Sequence, residues 1–216
     1  IDPACGAGSF LSFSARYLKS CGVSPAEIND SLFGIEKDEY LSKLANTHIA
    51  LSTLGQSNVV CGDSIERKGK DGSSVPFKLD EQFDIVLANP PFGSKIKIGS
   101  NEIKETFDLA HRWTKDKNTG NFIKTEKIAA NPTPQILFLE LCLRLLKPGG
   151  RMGIVIPESM LSSSSGGYVV QYLLENSDLN AVVGMPENLF KTSGKGGTHT
   201  KTCLIVATKK KKSSRA

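Results

Sequence analysis

Asn89-Pro90-Pro91-Phe92 follows directly on Phe83-Asp84-Ile85-Val86-Leu87-Ala88, a short apolar run that reads as a buried parallel strand. Two successive prolines cannot continue a strand ladder. They end it and turn the Asn89 side chain and the neighbouring carbonyls off the strand's C-terminal end, the edge at which open α/β sheets bind ligands. The chemistry this combination suits is methylation of an exocyclic amine, whose lone pair is delocalised into an aromatic ring. The Asn89 amide oxygen and the Pro90 carbonyl can each accept one N–H, draw the nitrogen toward tetrahedral geometry and aim its lone pair at an electrophilic methyl group. Phe92 offers a flat face for the ring. A proline-terminated strand with a capping Asn is the less favoured reading of the tetrapeptide, and the rest of the chain must decide between the two.

A second group of residues has the makings of a cofactor site. Asp2-Pro3-Ala4-Cys5-Gly6-Ala7-Gly8-Ser9-Phe10 is a glycine-bearing turn opening a helix, and its glycines let a ligand approach the backbone. Phe10 stands near the place of the third glycine of a dinucleotide fingerprint, which disfavours a pyrophosphate. A ligand with a positive centre and no phosphate is served better, because Asp2 supplies an acid at the turn. Glu36 ends the strand Phe33-Gly34-Ile35-Glu36, where an acid can accept both hydroxyls of a ribose. Asp63, in Cys61-Gly62-Asp63-Ser64, ends the next strand and can accept from an adenine amino group. Singly, each acid reads equally well as a helix cap or loop residue; in order at successive strand ends, beside Asn89, they read as a site.

The elements that must position these residues alternate between strand and helix, which implies a mostly parallel sheet with crossover helices. The pattern predicts a helix over about 9–21, a strand ending near Glu36, a helix from Asp38 to about Thr53, a strand around Asn58 to Cys61 and the strand before Asn89. Leu137, Leu141 and Leu145 recur four apart within Pro134 to Lys147 and predict a buried helix stopped by Lys147-Pro148-Gly149-Gly150. Arg151 to Ile156 is a strand, Tyr168 to Leu174 a helix, and Leu179 to Met185 and Thr202 to Thr208 the last two strands, with a glycine-rich connection over 193–198. Residues 93–131, with Lys95, Lys97, Phe107, Arg112, Trp113, Lys115, Lys117 and Lys124, read as a long polar loop. Phosphate contacts and stacking by Trp113 on DNA are one reading of it, and a partner-binding surface is another.

With 216 residues, 39% of them hydrophobic, the chain can bury the core of one α/β domain. The domain is placed over 1–208, and 209–216 is a basic tail. Its five bases account for the net charge of +5, since without them the bases equal the 22 acids; a solvated end is the ordinary reading of such a run. Cys5, Cys21, Cys61, Cys142 and Cys203 have neither zinc spacing nor paired motifs and read as reduced thiols. The three histidines, His48, His111 and His199, are scattered, so no metal is expected. Nothing indicates export or a membrane span, which makes a cytoplasmic location the expectation.

These residues resemble the adenine-N6 DNA methyltransferases, and most closely the modification subunits of type I restriction-modification systems. The likeness spans nearly the whole chain. It rests on Asp2 to Phe10 as a cofactor loop and Asn89-Pro90-Pro91-Phe92 as a catalytic loop, then on Phe138-Leu139-Glu140, Arg144 to Arg151, Ile154-Val155-Ile156-Pro157-Glu158 and Met185-Pro186-Glu187-Asn188-Leu189-Phe190, in the family's order. The resemblance implies a Rossmann-like sheet with helices on both faces and an antiparallel last strand, S-adenosylmethionine as methyl donor, and a flipped-out adenine in DNA as acceptor. It further implies that Asp2, Pro3, Ala4, Gly6, Gly8 and Phe10 line the cofactor, that Glu36 holds its ribose and Asp63 its adenine. Asn89, Pro90 and Pro91 form the catalytic turn, and Phe92 and Phe190 stack on the target base. Implied partners are DNA, a specificity subunit and the restriction subunit of the same system.

Relative to that family the chain begins at the cofactor loop, so most of the first strand and the helices before it are expected to be missing from the centre of the sheet. Similar Asn-Pro-Pro-aromatic loops occur in enzymes that methylate protein glutamine or guanine in ribosomal RNA. The Asp2-Pro3-Ala4 turn with Phe10 resembles the DNA adenine group instead. A scaffold that binds its partner without catalysis is the non-enzymatic alternative.

Overall fold

The computed structural model describes residues 1–53, 55–76, 80–92, 100–130, 132–163, 166–187, 189 and 200–211. Its first half runs α1 (Ser9–Ser20), α2 (Pro25–Ser31), β1 (Phe33–Glu36), α3 (Glu39–Thr53), β2 (Asn58–Asp63) and a two-residue β3 (Lys68–Gly69). After β4 (Phe83–Ala88) come α4 (Asn101–Glu105), a 3-10 turn over Asp108–Ala110, and the strands β5 (His111–Lys115) and β6 (Phe122–Ile128). The chain then forms α5 (Pro134–Leu145), β7 (Leu146–Pro157), α6 (Ser159–Ser162), α7 (Gly167–Asn176), β8 (Ser177–Gly184) and β9 (Thr202–Lys209).

β1 pairs in parallel with β2, and β4 in parallel with β7. β9 lies between β7 and β8, antiparallel to both, as expected for the last strand. Ile1 and Asp2 join the two halves. The Ile1 nitrogen donates to the Ile85 carbonyl and the Ile1 carbonyl accepts from Leu87 N–H, while Asp2 exchanges backbone bonds with Phe33 and Ile35. Ile1 also borders an apolar cleft of about 930 Å³, lined further by Phe10, Phe13 and Tyr17 of α1, by Phe33, and by Ile85 and Leu87 of β4.

Helices cover the sheet on both sides. Gly34 and Val59 face α1 and α3, with Cys5, Leu11, Ala45 and Ile49 buried between them. No side chain fits at Gly34, where a Cβ would come within 2.8 Å of a Leu11 methyl and 3.0 Å of the Cys5 sulfur. On the other side Ile35, Val86, Ile154 and Ile205 pack with α5 and α7. Leu137, Leu141 and Leu145 of α5 are fully buried, each contributing about 1.5–3 kcal/mol by leaving water.

Several local expectations are corrected. Over its described residues the polar stretch is not a loop: it folds as α4, the 3-10 turn and the β5–β6 hairpin. Trp113 is not free to stack on a base, since it lies on Tyr168 with ring centroids 5.8 Å apart and donates its indole N–H to the Asp108 carbonyl. Gln171 fixes the hairpin further by accepting from Phe122 N–H and donating to its carbonyl. Gly167 makes room for the same ring, which a Cβ there would meet at 2.6 Å. At the end of β9, Lys209 is paired with Ser177, donates to the Leu146 carbonyl and forms an ion pair with Glu81. Residues 212–216 lie outside the described residues.

α2 and β3 were not anticipated. Their signals differ: α2 carries a readable capping box, Ser24 accepting from Glu27 N–H while the Glu27 carboxylate accepts from Ser24 N–H, whereas β3 is two residues long and is defined by antiparallel pairing with Gly62 and Asp63 and a bridge from Lys68 to Ser74. β7 also starts at Leu146 rather than Arg151, passing Lys147 to Gly150 as an irregular lead-in whose register shifts against β4. No helix among the described residues is long and apolar enough to cross a membrane.

Candidate active site

Four chain segments meet at the C-terminal edge of the parallel strands: the Asp2–Ser9 turn, Glu36 at the end of β1, Asp63 at the end of β2, and Asn89 just past β4. The turn is held from several sides. Glu36 accepts from Gly6 N–H through Oε2 and from Asp38 N–H through Oε1, both at 2.8 Å. Cys5 N–H donates to the Ile35 carbonyl, and the Ser64 hydroxyl donates to the Pro3 carbonyl. From α3, His48 Nδ1 lies 2.9 Å from the Ala7 carbonyl, and Ala45 sits so close to Gly8 that an added Cβ would meet it at 3.1 Å.

Gly6 and Gly8 have φ of +52° and +80°, which favour glycine. They differ in what they face. Gly8 is packed on α3, whereas a Cβ built on Gly6 meets no atom within 4 Å, so the turn presents an open backbone face there. Gly8 also precedes the first turn of α1, which no side chain caps. The buried Asp2 carboxylate accepts from Ala4 N–H at 3.0 Å. Burial pushes Asp2 up to about 7; the Ala4 N–H opposes this and nearby Glu36 adds to it.

Asp63 is engaged more fully than the sequence implied. Its Oδ1 accepts from Ile65 and Glu66 N–H, and its Oδ2 holds the Lys37 ammonium at 2.7 Å. Lys37, Ser64 and His48 were not singled out in the sequence, because each acts through a contact distant in the chain. Phe10 lines the apolar cleft beside α1, and Pro3 is buried beneath the turn.

At Asn89 the amide oxygen is buried and has no hydrogen-bond partner among the described residues. An orphaned buried acceptor is costly, about 1–3 kcal/mol, and is expected where a ligand donor belongs. Pro90 is buried, Pro91 exposed and Phe92 half-buried. Phe190 lies outside the described residues. Among the described residues no three histidine, cysteine, aspartate or glutamate side chains are grouped to hold a metal.

The sheet order, the antiparallel last strand and a ligand edge built from a glycine turn and strand-end acids define the S-adenosylmethionine-dependent methyltransferase fold. A putative class I S-adenosylmethionine-dependent methyltransferase from Listeria monocytogenes shares it, at a TM-score of 0.66 and 21% identity over 98% of this chain and 53% of that one. The chain belongs to the N-6 DNA methylase family, whose model matches residues 1–216. The methylase subunit of the type I restriction enzyme EcoEI from Escherichia coli is 26% identical over 97% of this chain, and the type II methyltransferase M.BanIII from Aneurinibacillus aneurinilyticus 24% over 86%. A chain from a type I restriction-modification system assembly superposes at a TM-score of 0.69 with 26% identity over 96% of this chain. The chain spans 37% of the EcoEI subunit and 29% of M.BanIII.

Proposed function

We propose that this chain carries the catalytic centre of a modification subunit that transfers a methyl group from S-adenosylmethionine to the N6 amine of an adenine turned out of DNA. The observation that carries the reading is the buried Asn89 oxygen at the C-terminal end of β4, which has no hydrogen-bond partner among the described residues. There the target amine gives one N–H to Asn89 Oδ1 and the other to the Pro90 carbonyl, which localises the nitrogen lone pair. Phe92 positions the ring. A stacked adenine cannot reach this edge, so the base must leave the helix. S-Adenosylmethionine supplies the electrophilic methyl; the open face at Gly6 and the acids Glu36 and Asp63 fit its sugar and base, and Asp2 fits its positive charge. Kinship with type I methylase subunits favours DNA adenine over RNA or protein acceptors, and favours a specificity subunit and a restriction subunit as partners.

Tritium transfer from methyl-labelled S-adenosylmethionine by the full-length protein should appear in DNA and not in RNA or protein. Label in RNA or protein alone would overturn the assignment.

Two further outcomes follow for the cofactor. Glu36→Gln leaves one of the two backbone donors, Gly6 or Asp38, facing an amide NH2 and removes a charged acceptor for the ribose. A charge-assisted hydrogen bond is worth about 1.5–3 kcal/mol, so cofactor affinity should fall about tenfold or more while DNA binding is kept; unchanged affinity by calorimetry excludes the role.

The pH dependence comes from Asp2, whose carboxyl is held up to about 7 by burial. Its ionised form is the one that meets a cationic ligand, so affinity should rise from pH 6 to pH 8. Fold stability moves oppositely: the folded state holds the proton more tightly than the unfolded chain, so this group's contribution is fully present below about pH 4 and is lost as pH rises through about 7. Asp2→Asn should flatten both trends. A pH-independent affinity in the unsubstituted protein contradicts the assignment.

A further inference from the structure

β1 and β2 lie side by side with Glu36 opposite Cys61, so Lys37 emerges beside Asp63 where the two strands end. We propose that Lys37 is a displaceable strap on Asp63: its ammonium competes with the cofactor's adenine amine for the outer carboxylate oxygen, and binding the cofactor releases the ion pair. The inference rests on the reading of Asp63 as the adenine acceptor.

The acceptor count of Asp63 gives the reason. Oδ1 already takes two backbone N–H groups, from Ile65 at 2.9 Å and Glu66 at 3.1 Å, which fills its lone pairs. An incoming amine is therefore directed to Oδ2, where the Lys37 ammonium at 2.7 Å already takes one of the two lone pairs and sets a positive charge against a second donor. The two partners are held very differently. The Asp63 side chain is 19% exposed and fixed by its backbone donors, whereas that of Lys37 is 67% exposed. Its ammonium has no second hydrogen-bond partner among the described residues. Exposed ion pairs are weak and exchange readily, so the lysine is the partner that yields. Hydrogen bonding to Asp63 holds its ammonium above the ordinary lysine range, and the competing charge is present throughout neutral pH.

The test is calorimetric binding of two probes, S-adenosylhomocysteine and its 6-oxo analogue S-inosylhomocysteine, to the full-length protein and to its Lys37→Met variant at low salt. Methionine keeps an unbranched apolar stem of similar length and removes the ammonium. The expected result is two- to fivefold tighter binding of S-adenosylhomocysteine by Lys37→Met, with no gain for the 6-oxo analogue, which has no amine to offer Asp63. Equal or weaker binding of S-adenosylhomocysteine by the variant, or an equal gain for both probes, overturns the strap while leaving the cofactor reading in place. Failure of both proteins to bind S-adenosylhomocysteine removes the cofactor reading and the strap together.

Discussion

Asn89→Ala is expected to lower the rate of methyl transfer by about 10²- to 10³-fold while leaving cofactor affinity within a few-fold of its starting value. The magnitude is that of deleting one preorganised polar group aimed at the reacting centre. It falls on the chemical step because the Asn89 oxygen has no partner among the described residues and so does not brace them. Removing it takes away a buried acceptor that is orphaned without the substrate, so the variant should be as stable as the parent, or more so. Single-turnover methylation with saturating cofactor separates the step from binding. A near-normal rate would remove Asn89 from the mechanism, and a loss of stability together with activity would make it a structural residue.

Glu140→Ala is expected to destabilise the fold by about 3–5 kcal/mol, because it removes the buried partner of an ion pair and also leaves two backbone donors unsatisfied. Glu140 is fully buried on α5, where its carboxylate accepts from Asp108 and Leu109 N–H and pairs with Arg144 at 2.5 Å. Arg144 also lies 4.7 Å from the centre of the Phe107 ring and donates to the Thr106 carbonyl. Burial outweighs these partners and raises the Glu140 carboxyl above its ordinary range, so the pair pins the 3-10 turn and the start of the hairpin to α5 at a desolvation cost. Urea unfolding at pH 8 gives the measurement. Adding Arg144→Met should recover part of the loss by removing the unpaired cation, whereas the two backbone donors stay unsatisfied. A single variant that unfolds within 1 kcal/mol of the parent would show that the turn is held by other contacts.

These two residues also mark how far the sequence could be read. The position of Asn89 at a strand end was legible because its signals are local: an apolar strand, two prolines and an aromatic ring in one run. The strand-end positions of Glu36 and Asp63 were legible because each closes a short strand, and the parallel pairing of β1 with β2 brings those ends together. What such patterns cannot show is occupancy. Nothing in the sequence indicates that Glu36 braces Gly6, that Lys37 covers Asp63, or that Glu140 bonds a turn more than thirty residues earlier in the chain.

The hairpin escaped for a different reason. His-Arg-Trp-Thr-Lys and Phe-Ile-Lys-Thr-Glu-Lys-Ile lack a clean apolar alternation, because one side is only partly covered, by Tyr168 and Gln171, and the pairing is irregular between His111 and Trp113. α2, by contrast, announced itself through Ser24, Pro25 and Glu27, and the short length of the segment concealed it.

The most direct test of Asn89 as the amine-activating acceptor is mass analysis of nucleosides from DNA methylated by the full-length protein with isotopically labelled S-adenosylmethionine, run beside its Asn89→Ala variant. The predicted result is label in N6-methyldeoxyadenosine with the parent protein and a drop of at least a hundredfold with the variant. Label on a different atom or base, or equal N6-methyldeoxyadenosine from both proteins, would contradict it.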